Sequence, residues 1–335
     1  MRIFITGAAS PLGQALTRIL VSEGHVVAGQ IRRSAGIAVL RQLGAEPVIE
    51  DLLRPSSLIG VMEGCDLVFH LAHFFDFWAA DSSTYLGVNI RGTEAVMTSA
   101  LVADVRRVVF CSSALVGGVC TTSPYSARSA CGNGNGKVNG AANGHGPRRA
   151  TTAFARSMRT AEEVALRYIA KGMEVVVARP SIVLAPNDPG WAGRLVAERV
   201  AGRRRFASRA PIGWIWVDDA ARALALAAER GECGAGYTFS GAATSQRALL
   251  SAVSRLAGAG GARPLPLPRA AALALAAVGT PIARIERRRP ALPLDEARFL
   301  SEGLIVDGAE AASRLGCHYT PLDEYLPKVV ESYAA

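Results

Sequence analysis

Short unbroken apolar runs alternate with stretches of helical spacing along the first half of the chain. RIFITG (residues 2–7) is an apolar run closed by glycine. Leu12, Leu16, Ile19 and Leu20 then recur on one helix face, which predicts a helix over Pro11–Ser22. HVVAGQIRR (25–33) and DLVFHLA (66–72) predict strands, Asn89–Ala103 a helix, and RRVVFCSS (106–113) another buried strand. A helix from about 151 to 170 leads into the strand EVVVARPS (174–181). Strands that are apolar throughout, alternating with helices, predict an α/β fold: a doubly wound parallel sheet of the Rossmann type with helices on both faces.

The pattern loosens after Ala185. WIWVDDAARALALAAE (214–229) reads as a strand running into a helix, and GYTFSG (236–241) as a short strand. The remainder is helical with proline breaks, as in RPLPLPR (263–269). These signals predict a nucleotide-binding domain over 1–183 and 212–242, and a smaller substrate domain over 184–211 and 243–335. Residues 126–150 are rich in glycine and asparagine and lack periodicity, which predicts a flexible insertion.

Composition narrows the function classes. Half of the 335 residues are hydrophobic and 19% are charged, as a filled globular core requires. The net charge is +9, yet the basic clusters are short and none is interleaved with aromatics, which argues against a nucleic-acid groove. The six cysteines are scattered without a Cys-x-x-Cys pair, so neither a metal site nor a disulfide framework is expected. The apolar run Ala270–Ala283 has 14 residues and contains Pro281. It is too short to span a bilayer and reads as a buried or a membrane-surface helix. No leader pattern follows Met1, and a cytoplasmic chain is expected.

The first strand ends in TGAASPLG (6–13), the strand–turn–helix context of a dinucleotide fingerprint. Gly7 permits the turn, the small residues up to Ala9 let a pyrophosphate approach, and Gly13 lets the helix pack close. Ser10 stands where a middle glycine is usual. The helix N-terminus is expected to offer free N–H groups to the phosphates. The second strand ends in Arg32 and Arg33. Guanidinium groups there favour the 2′-phosphate of NADP(H), where an acidic residue would favour NAD.

These residues resemble the extended short-chain dehydrogenase/reductase family, which also holds the NAD-dependent sugar epimerases and dehydratases. TGAASPLG, EDLLRPSSL (50–58), FHLAH (69–73), VNIRGTEAVMTSA (88–100), VVFCSSALVGG (108–118), ARPSIVLAPND (178–188) and WVDDAARAL (216–224) carry the resemblance in family order. It implies cofactor contacts at Thr6, Gly7, Ala9, Ser10, Pro11, Leu12 and Gly13, at Arg32 and Arg33, and at Asp51 and Leu52. It extends them to Leu71, Ala72, His73, Asn89, Ser112, Phe154, Met158, Arg179, Pro180, Ser181 and Val183. The catalytic serine falls on Ser113. PLPLPRAAALALA (264–276) and LGCHYTPLDEYL (315–326) are more similar to the dihydroflavonol-reductase and 3β-hydroxysteroid-dehydrogenase branch, which implies an apolar, ring-bearing substrate. Family relatives often form dimers, so a homodimer is expected.

One family feature is missing. The Tyr-x-x-x-Lys pair that moves the substrate proton falls on Phe154 and Met158, 25 residues before Arg179 and ahead of Glu162. No tyrosine elsewhere has a lysine four residues on. Losing a general acid typically costs about 10²–10⁴ in rate. His73, Asp76, Tyr85 and Tyr125 are the candidates to replace it. The aromatic loop HFFDFWAAD (73–81) reads as a core cover or a substrate wall, and Trp191, Trp214 and Trp216 as pocket or core. Three functions stay open: an atypical NADP(H)-dependent reductase; a non-redox cyclase, isomerase or dehydratase; and a non-catalytic NADP(H)-binding protein.

Overall fold

A computed structural model describes residues 1–117, 152–258 and 263–334. Tyr125 and the 126–150 stretch lie outside the described residues. Among the described residues the chain forms β1 (Arg2–Thr6), α1 (Pro11–Ser22), β2 (Val26–Ile31), α2 (Ile37–Gln42), β3 (Glu46–Ile49), α3 (Pro55–Met62) and β4 (Leu67–His70). A wide π-type turn (Tyr85–Arg91) leads into α4 (Gly92–Val102), followed by β5 (Arg107–Cys111), α5 (Ala153–Leu166) and β6 (Glu174–Pro180). Next come β7 (Ile182–Leu184), α6 (Trp191–Val200), β8 (Phe206–Ala207), β9 (Pro211–Trp216), α7 (Val217–Arg230), β10 (Gly236–Phe239) and β11 (Ala243–Ser245). The chain ends with α8 (Gln246–Leu256), β12 (Leu265–Pro266), α9 (Arg269–Ile285), α10 (Leu294–Glu302), α11 (Ala309–Leu315) and α12 (Leu322–Ala334).

The main sheet has seven parallel strands in the order β10-β6-β5-β4-β1-β2-β3. The predicted parallel Rossmann-type sheet is therefore present. Phe4, Ile5, Val68, Phe69, Val108, Val109, Val175 and Val176 are buried completely, or nearly so, because helices cover both faces. Strand β3 was not legible as a strand. It carries Pro47 and has no fully buried residue, as an edge strand tolerates.

The strand order reverses between β1 and β4, and their register pairs Thr6 with His70. A crevice at the carboxyl ends of such strands is where doubly wound sheets bind ligands. Strand β9 leaves the main sheet and pairs with β7 and β11 in a three-stranded sheet, while β10 returns to the main one. Ser181 sits at the short step from β6 to β7, where its N–H donates to the Phe239 carbonyl of β10 (2.8 Å).

Candidate active site

The turn after β1 is built for close approach. Gly7 has φ +69°, and a Cβ there would sit 3.1 Å from the Ala72 backbone. A Cβ on Gly13 would lie 2.5 Å from the Gly7 carbonyl oxygen, so only glycine lets α1 pack onto the turn. Gln30 holds the turn from below. Its Oε1 accepts from the Gly7 N–H (3.0 Å), and its Nε2 donates to the Glu50 carbonyl (2.6 Å).

Ser10 is the N-cap of α1, and its hydroxyl accepts from the Gly13 N–H (3.1 Å). Pro11 has no N–H to offer. The first turn of α1 is therefore less rich in free donors than expected, because the serine that replaces a glycine uses one itself. The Leu12 N–H is the one that neither the cap nor the proline ring removes. Arg32 and Arg33 follow β2 and are exposed, and Asp51 is exposed beyond β3, its carboxylate accepting from the Leu53 N–H (3.0 Å).

Below the turn runs a buried hydrogen-bonded chain. The Leu71 and Ala72 N–H groups donate to Thr6 Oγ1, which meets His70 Nδ1 at 2.8 Å. His70 Nε2 meets Thr93 Oγ1 at 3.1 Å, and that hydroxyl donates to the Asn89 carbonyl at 2.6 Å. Because Thr93 spends its proton on Asn89, His70 Nε2 must donate and Nδ1 must accept from Thr6. Burial pushes the His70 pKa down to about 3, so the neutral ring this chain requires is the stable one.

Asn89 is fully buried and braces the aromatic loop. It accepts from the Phe74 N–H, donates to the Phe74 carbonyl, and donates to Ser157 Oγ at 2.8 Å. Its side chain is thus committed to the protein. The loop itself divides. Phe77 packs into the core against Trp191 and stacks on Phe299, whereas Phe75 lies 4.7 Å from the Phe154 ring at the crevice. Trp214 donates to the Thr244 carbonyl and Trp216 stacks on Tyr325, both away from the crevice.

The crevice holds a cavity of about 250 Å³. Ser10, Pro11 and Leu12 of the α1 start, Pro180 to Val183 and Trp191 line it. Leu71, His73, Phe75, Cys111, Ser112, Ser113 and Phe154 line it as well. Four of the lining residues bury a side-chain polar atom without a protein partner: His73 Nδ1, Ser112 Oγ, Ser181 Oγ and Trp191 Nε1. Leaving such an atom unsatisfied costs about 1–3 kcal/mol each, so four around one cavity mark a place that a polar ligand completes. Their position beside the α1 N-terminus fits a dinucleotide and its substrate.

Burial pushes the His73 pKa down to about 4, against a smaller opposing influence of the Leu71 backbone. The neutral ring lines the cavity with Nδ1 buried and without a protein partner. Ser113 Oγ also lines the cavity and accepts from the Leu115 N–H at 3.3 Å. The Cys111 thiol, which the sequence did not single out, is pushed up to about 12 by burial and is chemically quiet. Asp188 was also missed. Its carboxylate accepts from the Gly190 and Gly193 N–H groups and so fixes the start of α6 and Trp191. The NDPG turn before Trp191 was the available signal.

Four expected site residues stand elsewhere. Asp76 is no cavity acid: Arg194 (2.7 Å) and Arg289 (2.7 and 2.9 Å) engage both its carboxylate oxygens. Arg179 lies below the crevice in a buried two-bond pair with Glu162, at 2.8 and 2.6 Å. Met158 is fully buried and does not reach the cavity, although Phe154 does. Tyr85 donates to the Asp76 carbonyl (2.8 Å), and burial raises its pKa further above the usual phenol range. A larger hollow of about 640 Å³ lies at the opposite edge of the sheet, against Met1, Asp66 and Arg106. It faces the amino ends of the strands, where this architecture does not bind its ligands.

Comparison with known proteins agrees with this geometry. Sterol demethylase protein B of Methylococcus capsulatus is 27% identical over 323 residues, covering 94% of this chain and 93% of that protein. A 4-hydroxy-2-methyl-3-oxo-4-farnesyl-3,4-dihydroquinoline-1-oxide ketoreductase of Stigmatella aurantiaca is 27% identical over 239 residues, 71% of this chain and 67% of that one. The structure of a DesIV double mutant (dTDP-glucose 4,6-dehydratase) from Streptomyces venezuelae, with NAD bound, superposes with a TM-score of 0.77. It is 19% identical and covers 99% of this chain and 97% of that one. Residues 3–239, from the first strand through the last strand of the parallel sheet, match the family model as well. With its glycine turn, its sheet order and its strand-end serines, the chain belongs to the NAD dependent epimerase/dehydratase family.

Proposed function

We propose that this protein is an atypical NADP(H)-dependent oxidoreductase. It interconverts a carbonyl and a hydroxyl group on an apolar, ring-bearing metabolite. Two serines and His73 handle the substrate oxygen where relatives use tyrosine and lysine. The observation that carries this reading is the cluster of four unpartnered polar atoms in one aromatic-walled cavity beside the α1 N-terminus.

The residues that would hold the cofactor are the Gly7–Gly13 turn for the pyrophosphate, Arg32 and Arg33 for a 2′-phosphate, and Ser181 with Pro180 at the nicotinamide end. When bound, the cofactor supplies or accepts the hydride. Ser112 and Ser113 donate to the substrate oxygen and stabilise negative charge that develops on it. His73 Nδ1 accepts the proton of the hydroxyl form. Phe75, Phe154 and Trp191 exclude water and hold the ring system in place. The one carboxylate lining the cavity among the described residues, Asp188, is engaged by the Gly190 and Gly193 N–H groups, which suits an acceptor that takes hydride with little protonation, such as a quinone-like ring. The sterol-related and quinoline-oxide relatives support the apolar, ring-bearing substrate class.

NADPH fluorescence titration of the wild type and of Arg32→Ala tests the cofactor, with binding expected to weaken sharply in the variant. Transfer of deuterium from labelled NADPH to a product in a metabolite screen tests the chemistry. Absence of binding at millimolar NADPH would refute the reading. Turnover without a change in cofactor absorbance would instead assign a cyclase, isomerase or dehydratase.

A further inference from the structure

Helix α9 is apolar on every side yet buried on only one. Ala272, Ala276, Thr280 and Ala283 face inward, and the helix packs on α10. Leu275, Val278, Ile282 and Ile285 recur at steps of three, four and three, and are 58%, 66%, 48% and 84% exposed. They form one outward stripe. The remaining exposed positions between 270 and 282 are alanines and Pro281, and the helix contains no acidic residue. Such a stripe on a free-standing protein marks a docking surface.

Charge selects the occupant. Arg269 opens the helix, Arg284 stands near its end, and Arg287 follows it, all exposed. Glu286 and Arg288 pair with each other, and Arg289 is committed to Asp76 and Glu296. Arg287 also feels Asp81, so the charge left around the stripe is positive at both ends chiefly through Arg269 and Arg284. A second copy docked through the same face would set arginines against arginines or against bare apolar surface. An anionic lipid surface matches both features at once: the apolar stripe enters the headgroup boundary and the arginines meet the phosphates. No described helix is long and apolar enough to cross a membrane, so the contact is one of lying on the surface.

We propose that α9 is an in-plane anchor that docks this protein on anionic lipid bilayers. The Arg289–Asp76 ion pair runs from the segment after α9 to the loop that carries His73 and Phe75. An anchored α9 would therefore hold the aromatic wall of the cavity next to the lipid. The docking proposal stands apart from the redox reading, because its test needs no turnover.

The test is co-sedimentation of the full chain with phosphatidylcholine vesicles, with and without roughly 30 mol% phosphatidylglycerol. The wild type should bind the anionic vesicles, and high salt should release it. Val278→Glu and Ile282→Glu should each lower the partition coefficient at least about tenfold with unchanged melting temperatures, since both sites are exposed. Arg284→Ala and Arg287→Ala should each lower it about fivefold. Equal binding to neutral and anionic vesicles, or no binding, overturns the proposal. So does a dimer that Val278→Glu splits in sedimentation velocity while vesicle binding stays the same, because the stripe would then be a contact between copies.

Discussion

Lowering the pH from 7.5 to 5 should destabilise this fold through His70. The ring is neutral in the native chain of Thr6, His70 and Thr93, with a pKa of about 3 against an ordinary value of 6.5. The unfolded imidazole binds a proton below pH 6.5, whereas the folded one does not until near pH 3. The stabilisation is complete above 6.5 and is lost as pH falls toward the folded value. At pH 5 the gap is about 1.5 units at about 1.36 kcal/mol each, or about 2 kcal/mol from His70 alone. His73, with a pKa of about 4, acts in the same direction, but it borders the cavity, where solvent relaxes its burial, so we assign it about half as much. Together they amount to about 3 kcal/mol, a large share of a typical 5–15 kcal/mol. Urea unfolding at pH 7.5 and 5, for the wild type and His70→Gln, measures this. The variant should lose about 2 kcal/mol less than the wild type across the interval, whatever its starting stability. Parallel losses in the two proteins would refute a neutral, buried His70.

The remaining predictions concern the site and its frame. Gly7→Ala forces a side chain into the left-handed region against Ala72, so it should cost about 1–2 kcal/mol in thermal melts and abolish NADPH binding. Met158→Lys places an unpaired charge at a fully buried position and should destabilise by several kcal/mol, whereas Met158→Leu should cost less than about 1.5 kcal/mol. The lysine of the missing pair thus cannot simply be restored by one substitution. Asp76→Ala releases Arg194 and Arg289, and should cost about 1–2 kcal/mol while raising KM more than it lowers kcat, seen in steady-state kinetics on a substrate from the screen. His73→Ala should leave NADPH binding intact and lower the rate with a hydroxyl-bearing substrate, measured by absorbance.

The fold was legible because parallel strands buried on both faces write themselves as unbroken apolar runs, and β1, β4, β5 and β6 all do so. The edge strand β3 escaped, since Glu46 and Pro47 satisfy no such pattern. In the candidate site, four residues that the sequence places at strand ends, Ser112, Ser113, Ser181 and His73, line one cavity. It misplaced Asp76 and Arg179 because a lone charge in a motif reads as chemistry until its partner is known. Their partners, Arg194, Arg289 and Glu162, are 118, 213 and 17 positions away. Phe154 and Met158 share a helix face by spacing, yet only Phe154 reaches the cavity. Spacing fixes direction around the axis but not how far the core rises beneath each turn.

Gln30 carries a consequence for how such a protein can change over generations. Its amide alone links the Gly7 turn to the backbone beside β3, while Arg32 and Arg33, two and three residues on, stand in solvent. The residue that braces the turn and the two exposed arginines are therefore separate letters of one short segment. Substitutions at 32 and 33 can be sampled without loosening the turn, so a lineage built on this frame can vary the charge at the end of β2 at two surface positions while the turn keeps its brace.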